Sequence, residues 1–271
     1  MKTRVLTALA LLPVVLGVLL ARSPWPTAVL ATLVAYLGMR ELTYLVSKGK
    51  SNVAIPSPFM MAGTAIIAFQ PTPDVLRFVL VFASLMTLGG VIALLKLAKG
   101  VRALPLRGLA SGWLMGPLLA MVALQAGGVG APLGSAFALN LVLMLVLPIW
   151  AGDTAAIIVG KAWGKRPLAP QISPNKTWEG ATGSLVASVV VAAAAGSFLG
   201  IGWGLGLACG VLAGVLGQLG DLLESALKRS SGLKDSGSLL PGHGGILDRI
   251  DSLLLAAPFV AALLLLTRSA G

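Results

Sequence analysis

The sequence predicts an all-α, polytopic membrane protein. Two observations carry that prediction: apolar runs close to the length of a bilayer crossing recur along the chain, and charge is nearly absent from them. Of 271 residues, 57% are hydrophobic and 11% charged, and the mean hydropathy is +0.94. A water-soluble domain of this size needs a far more polar surface. A backbone that spans a bilayer must satisfy its own hydrogen bonds, which selects helices of about 20 apolar residues.

Apolar patterning places nine spans, at Val5–Ala21, Ala28–Tyr44, Phe59–Gln70, Val75–Leu95, Gly108–Leu124, Leu133–Trp150, Gly183–Ile201, Leu205–Gln218 and Leu253–Thr267. The first follows Lys2 and Arg4 and resembles a signal peptide. Ala21-Arg22-Ser23 is a poor cleavage site, however, so an uncleaved helix is expected. The third and eighth are short, which fits tilted neighbours in a thinned bilayer or helices buried within protein. Within the eighth, Gly206, Gly210 and Gly214 recur every four residues and predict a close helix-packing face.

Cytoplasmic loops collect lysine and arginine. Alternate loops of this chain hold 17 of its 20 basic residues, leaving Arg22, Arg77 and Arg268 on the other side. That alternation puts the N-terminus in the cytoplasm and explains the net charge of +11 without nucleic acid, which is not an expected partner. Cys209 is the only cysteine, so an intrachain disulfide and a cysteine-built zinc site are excluded.

Acids contribute little to membrane orientation, so Asp153, Glu179, Asp221, Glu224, Asp235, Asp248 and Asp251 need another reason. Between Asp221 and Asp251 the chain gathers five acids, four cations (Lys228, Arg229, Lys234 and Arg249) and its only histidine, His243. On a helix, Asp221, Glu224, Ser225 and Lys228 share one face, and so do Asp248, Asp251 and Ser252. The break Pro241-Gly242-His243-Gly244-Gly245 lets these two stripes converge. Carboxylates without a Cys or His cluster favour a hard cation, and Mg²⁺ is the usual choice beside phosphate. Asp221, Asp248 and Asp251 are the candidate ligands, whereas Lys176, Lys228, Arg229, Lys234 and Arg249 are suited to phosphate oxygens. Gly242, Gly244 and Gly245 allow positive φ and expose N–H groups to anions. His243 stands as a general base, a phosphate donor or a turn residue.

Upstream, Gly152-Asp153-Thr154 follows the apolar run ending at Trp150 and sets an acid at a span's cytoplasmic end, as a ligand, a ligand's partner or a helix cap. Ser173-Pro174-Asn175-Lys176-Thr177-Trp178-Glu179-Gly180 offers hydroxyls and a lysine near a helix start, where free N–H groups favour phosphate. Neither this segment nor Gly160–Arg166 is a Walker A loop.

These residues resemble the phosphatidate cytidylyltransferases, also called CDP-diglyceride synthases. The signature of that family is matched in order by Ser225, Lys228, Arg229, Lys234, Asp235, Gly237, Pro241, His243, Gly244, Gly245, Asp248, Arg249 and Asp251. The Gly152–Thr154, Ser173–Gly180 and Gly217–Asp221 segments resemble further family motifs. The resemblance implies synthesis of CDP-diacylglycerol from CTP and phosphatidate with release of pyrophosphate, in an all-helical membrane fold that forms a homodimer. It implies catalytic roles for Asp221, Lys228, Arg229, Lys234, Asp235, His243, Asp248, Arg249 and Asp251. Asp153, Ser173, Lys176, Thr177, Glu179, Glu224, Ser225, Gly242, Gly244 and Gly245 are expected to bind substrate. Mg²⁺ is the expected cofactor, with the number of ions and a monovalent partner left open. The expected organisation is one membrane domain over 1–271, with transmembrane helices in 1–132 and a catalytic part in 133–271 whose site faces the cytoplasm at the inner membrane. A CTP-dependent polyprenol or phytol kinase and an ion or lipid transporter are the alternatives.

Overall fold

The computed structural model describes residues 13–18, 21, 23–47, 63–64, 72–99, 109–128, 141–237, 239 and 244–268. Among them are seven long helices: α1 (Trp25–Val46), α2 (Pro73–Ala98), α3 (Gly112–Gly128), α4 (Leu143–Trp163), α5 (Trp178–Phe198), α6 (Trp203–Ser230) and α7 (Leu247–Arg268). Between α4 and α5 lies an antiparallel hairpin of β1 (Pro167–Ala169) and β2 (Ser173–Thr177). Six of the helices, all but α3, are long and apolar enough to cross a membrane. The protein is therefore a multi-pass helical membrane protein, as expected, with the hairpin as an unforeseen β element.

Of the nine expected spans, the described residues hold six helices of crossing length and the shorter α3. Most of the first and third expected spans, and the front of the sixth, fall outside the described residues. The sixth span does not stop at Trp150 but continues as α4 to Trp163. The eighth is not short: α6 runs 28 residues, because the charged stripe after Gln218 prolongs the same helix. The seventh begins earlier than expected, at Trp178.

Helix starts follow local chemistry. Thr72 caps α2 by accepting from the Val75 N–H at 3.4 Å, with Pro73 in the first turn. Thr177 caps α5 by accepting from the Gly180 N–H at 3.1 Å. Between α5 and α6 the chain reverses within a few residues, where Gly200 and Gly202 take φ of 70° and 95° and the Gly196 carbonyl accepts from Ile201 and Gly202. Only glycine adopts that backbone readily.

Small residues set the helix spacing. A Cβ on Gly210 would lie 2.6 Å from the Val189 Cα, and one on Gly206 2.9 Å from the Ala193 Cα. Gly214 abuts Leu185 and Ser188, so the four-residue glycine repeat is the α5–α6 packing face. Gly152 of α4 meets Ser184 and Ser188 of α5 in the same manner, and the Ser188 hydroxyl donates to the Pro148 carbonyl at 2.8 Å. In the other half, Gly90 of α2 approaches Trp113, a fully buried residue of α3. Outer faces stay apolar, with Phe78, Leu85, Val186, Val190 and Phe198 exposed, as helices surrounded by lipid require.

One end of the bundle collects the C-termini of α1, α4 and α6, the N-termini of α5 and α7, and the hairpin. Ser231, at the end of α6, donates to the Leu45 carbonyl of α1 at 2.7 Å. The Arg229 Nε donates to the Ile172 carbonyl in the hairpin turn at 3.2 Å. Among the described residues, the basic side chains of the α4–α5 and α6–α7 connections, from Lys161 to Lys176 and from Lys228 to Arg249, belong to this end.

Replacing Gly210 by leucine should destabilise the protein by roughly 1–3 kcal/mol or more through overpacking. Gly89 has open space where its Cβ would stand, so Gly89→Ala should instead be neutral or stabilising by up to about 1 kcal/mol. Thermal unfolding of the two variants in detergent checks the contrast.

Candidate active site

The two acidic stripes do converge. The end of α6 presents Asp221, Glu224, Ser225 and Lys228, and α7 brings Asp248 in its first turn and Asp251 one turn later. Gly220 makes the approach possible, because a Cβ there would strike the Asp251 carbonyl. The Lys228 Nζ lies 2.6 Å from the Asp248 Oδ1 and 3.4 Å from the Glu224 Oε1. Glu224 is fully buried, with Lys228 as its counter-charge and the Asp251 carboxyl against it. Asp251 is within electrostatic reach of Asp221 and Lys228, and its Oδ1 accepts from the Ser252 N–H at 2.7 Å.

Asp248 commits both oxygens to the protein. While Oδ1 binds Lys228, Oδ2 accepts from the Ser236 N–H at 3.0 Å, the Ser236 hydroxyl at 2.9 Å and the Gly245 N–H at 2.8 Å. Gly244 does take positive φ, 80°. The Gly245 N–H, expected to face an anion, is engaged by this carboxylate.

A second centre lies about two turns earlier on the same face of α6. Asp221 receives the Lys176 ammonium on Oδ2 and the Ser225 hydroxyl on Oδ1 at 3.3 Å. Both charged side chains keep over a quarter of their surface accessible, 29% and 27%. They open on a cavity of about 580 Å³ bounded by α4, the hairpin, α5 and α6. Its polar lining is Asp153, Lys161, Asn175, Lys176, Thr177, Ser184, Gln218 and Asp221, with Ala156, Ile157 and Gly160 on the apolar wall. The Gln218 amide donates to the Ala181 carbonyl of α5 at 3.1 Å, which sets the floor.

Several expected residues stand elsewhere than the sequence suggested. Asp153 is inside α4 rather than at its end, so it is no cap. It faces the cavity within electrostatic reach of Asp221 and Lys176. Ser173 pairs with Ala169 in the hairpin, and Thr177 is the α5 cap as well as a cavity wall. Glu179 braces the hairpin base, its Oε2 accepting from the Lys165 and Arg166 N–H groups at 3.1 and 3.2 Å. Lys234, Asp235 and Arg249 are exposed. His243 and Gly242 lie outside the described residues.

Two residues of this end were missed. Ser236 is fully buried against Asp248. Glu41 of α1 reaches the same loop, its oxygens accepting from the Ile246 and Leu247 N–H groups and the Ser236 hydroxyl. The available signal was an acid inside an apolar run, the criterion already applied to the C-terminal acids.

Among the described residues no three acidic, His or Cys side chains converge on one point. The donor chemistry nevertheless suits Mg²⁺: the oxygens are hard, and two of the carboxylates, Asp221 and Asp248, already bind ammonium cations in positions for which a metal would compete.

The fold and the site together define a multi-pass helical membrane protein with a lysine–carboxylate pair on a cavity at one end of the bundle. The chain belongs to the cytidylyltransferase family, which it matches over residues 2–267. It is 48% identical to a phosphatidate cytidylyltransferase of Bacillus subtilis over 132 residues, 48% of this chain and 49% of that protein. It is 44% identical to one of Haemophilus influenzae over 127 residues, 45% of this chain and 44% of that protein. With one from Staphylococcus aureus it shares 44% over 129 residues, 47% of this chain and 50% of the relative. These matches span about half the length of the curated relatives.

The two lysines should differ in their effect on stability. Lys228 and Asp248 are 12% and 8% exposed, so Lys228→Met strands a buried carboxylate and should cost roughly 3–5 kcal/mol. The more accessible Lys176–Asp221 pair should cost about 1 kcal/mol or less on Lys176→Met. Chemical unfolding in mixed micelles distinguishes these outcomes, and Lys228→Met combined with Asp248→Asn should recover part of the loss.

Proposed function

We propose that this protein transfers the cytidylyl group of CTP to phosphatidate, giving CDP-diacylglycerol and pyrophosphate. The observation that carries the reading is the meeting of Lys176 and Asp221 on a cavity of about 580 Å³, a place where cations and carboxylates are both accessible to a nucleotide. The names of the relatives support the substrate pair.

The chemistry asks little of a general base. A phosphate monoester has its second pKa near ~6, so phosphatidate carries an ionised oxygen at neutral pH. That oxygen attacks the α-phosphorus of CTP, the new P–O bond forms, and the bond to the β-phosphate breaks as pyrophosphate leaves. The obstacle is charge, because two polyanions must meet. Lys176 and Lys161 on the cavity wall reduce that repulsion, and Arg229 and Arg249 offer forked donors at the same end of the bundle. Asp221, the carboxylate open on the cavity, would hold Mg²⁺ together with oxygens of the triphosphate, whose charge the ion would neutralise. Asp153 tempers the local positive charge, and the apolar wall at Ala156 and Ile157 keeps water from competing with the lipid nucleophile.

CTP then enters from the hairpin side and phosphatidate from the lipid side. In this reading the hairpin end faces the cytoplasm at the inner membrane, in keeping with its basic loops, and the enzyme works as a homodimer.

Purified protein incubated with phosphatidate, Mg²⁺ and CTP labelled at either the α- or the γ-phosphate tests the reaction. Lipid-soluble α-label with γ-label in pyrophosphate is expected. Transfer of γ-label to an added polyprenol would mean a kinase, and no transfer would overturn the reading. Asp221→Asn should lower turnover at least about 100-fold, as loss of an electrostatic group at a reacting centre does. Lys176→Ala should raise KM for CTP about 10- to 100-fold, the value of 1.5–3 kcal/mol for a charged hydrogen bond. Chelation by EDTA should stop turnover, and added Mg²⁺ should restore it.

A further inference from the structure

Glu41 sits near the end of α1, in the half of the chain without the family motifs. Its carboxylate is buried, 7% exposed, and reaches residues 195 to 206 positions further along the chain. Its Oε1 accepts from the Ile246 N–H at 2.9 Å. Its Oε2 accepts from the Leu247 N–H and the Ser236 hydroxyl, both at 2.9 Å. The two amides are among the first N–H groups of α7, which have no partner inside the helix.

The surrounding chain is shaped to this carboxylate. A Cβ on Gly237 would fall 2.8 Å from the Glu41 Oε1, and one on Gly245 would fall 2.6 Å from its Cδ. The Ser236 hydroxyl is also 2.9 Å from the Asp248 Oδ2. One hydroxyl proton thus stands between two carboxylates, so a shift of Glu41 is felt at Asp248 and, through it, at Lys228. Other helices here start more simply: α2 and α5 are capped by a neutral threonine from their own chain segment. Burying a remote carboxylate to start α7 is costlier, and what it adds is a link from α1 to the acidic site.

We propose that Glu41 is a positioning residue of the cytidylyl-transfer site. It fixes Ser236, Ile246 and Leu247, and through Ser236 it sets the carboxylate of Asp248. The inference rests on the function proposed above, and because Glu41 touches no substrate, its loss should appear in kcat rather than KM.

The test uses the full chain in detergent, with the nearly isosteric Glu41→Gln, with Glu41→Ala, which removes the group, and with Asp74→Asn at an exposed acid as control. Three quantities are measured: CTP kinetics, thermal unfolding, and hydrogen exchange of the peptide covering residues 244–250. Glu41→Gln keeps the size but loses one acceptor. It should lower kcat at least about tenfold, the usual effect of removing a group that orients a functional carboxylate, with KM for CTP within about twofold. Exchange in that peptide should quicken while the folded fraction is kept. Glu41→Ala should lose more, and Asp74→Asn should match the parent. Parent-like kcat in both Glu41 variants would overturn the proposal, as would a loss in Glu41→Gln that merely tracks unfolded protein. If the parent itself transferred no cytidylyl group, the functional reading would fall. Unchanged exchange in 244–250 would then overturn the positioning role independently.

Discussion

A carboxylate and an ammonium withdrawn from water at the end of a lipid-facing bundle must be paired, and the Lys228–Asp248 contact at 2.6 Å meets that requirement where α6 ends and α7 begins. Because each residue is fixed on its helix, the pair sets the rotational phase of both. Asp221 and Asp251 are then brought to the same junction, and the close passage at Gly220 follows. Breaking the pair would leave a buried charge uncompensated, so the end of α6 and the start of α7 are held together.

The remaining architecture supports that junction from two sides. Along α4, α5 and α6, small residues allow backbones to approach closely, which in a bilayer supplies the packing that the hydrophobic effect provides in water. This yields a rigid wall behind the cavity. The hairpin is held in front of it by Glu179 at its base and Arg229 at its turn, so Lys176 is delivered to Asp221 by a short, braced strand. Rigid placement matters for charge chemistry, since donors that need not reorganise stabilise developing charge more effectively.

Much of the site could be read from the residues. Helical spacing placed Asp221, Glu224 and Lys228 on one face and Asp248 with Asp251 on another, and the glycine break predicted their convergence. Residue-level roles were less legible. Glu179 was expected as a substrate contact; its bracing of the hairpin was not legible, because a backbone N–H partner 13 or 14 residues away leaves no mark in the pattern. Glu41 escaped because its partners lie about 200 residues distant and its neighbours in sequence are ordinary membrane-helix residues. The length of α6 was underestimated because hydropathy falls where charge begins, although the backbone helix continues.

Composition and the length of the apolar runs determined that the chain is helical and membrane-spanning: in lipid only helices and closed barrels satisfy their own backbone hydrogen bonds, and continuous apolar runs of about 20 residues select helices. The order and spacing of charged residues likewise determined which of them would gather at one end. What the tertiary structure decided is how each charge is spent: Lys228 on Asp248 and Glu224, Lys176 on Asp221 at an open cavity, and Glu41 on the first amides of α7. Those assignments depend on distances between segments far apart in the chain. A charge in low dielectric is governed by whichever partner packing brings within hydrogen-bond reach, not by its neighbours in sequence.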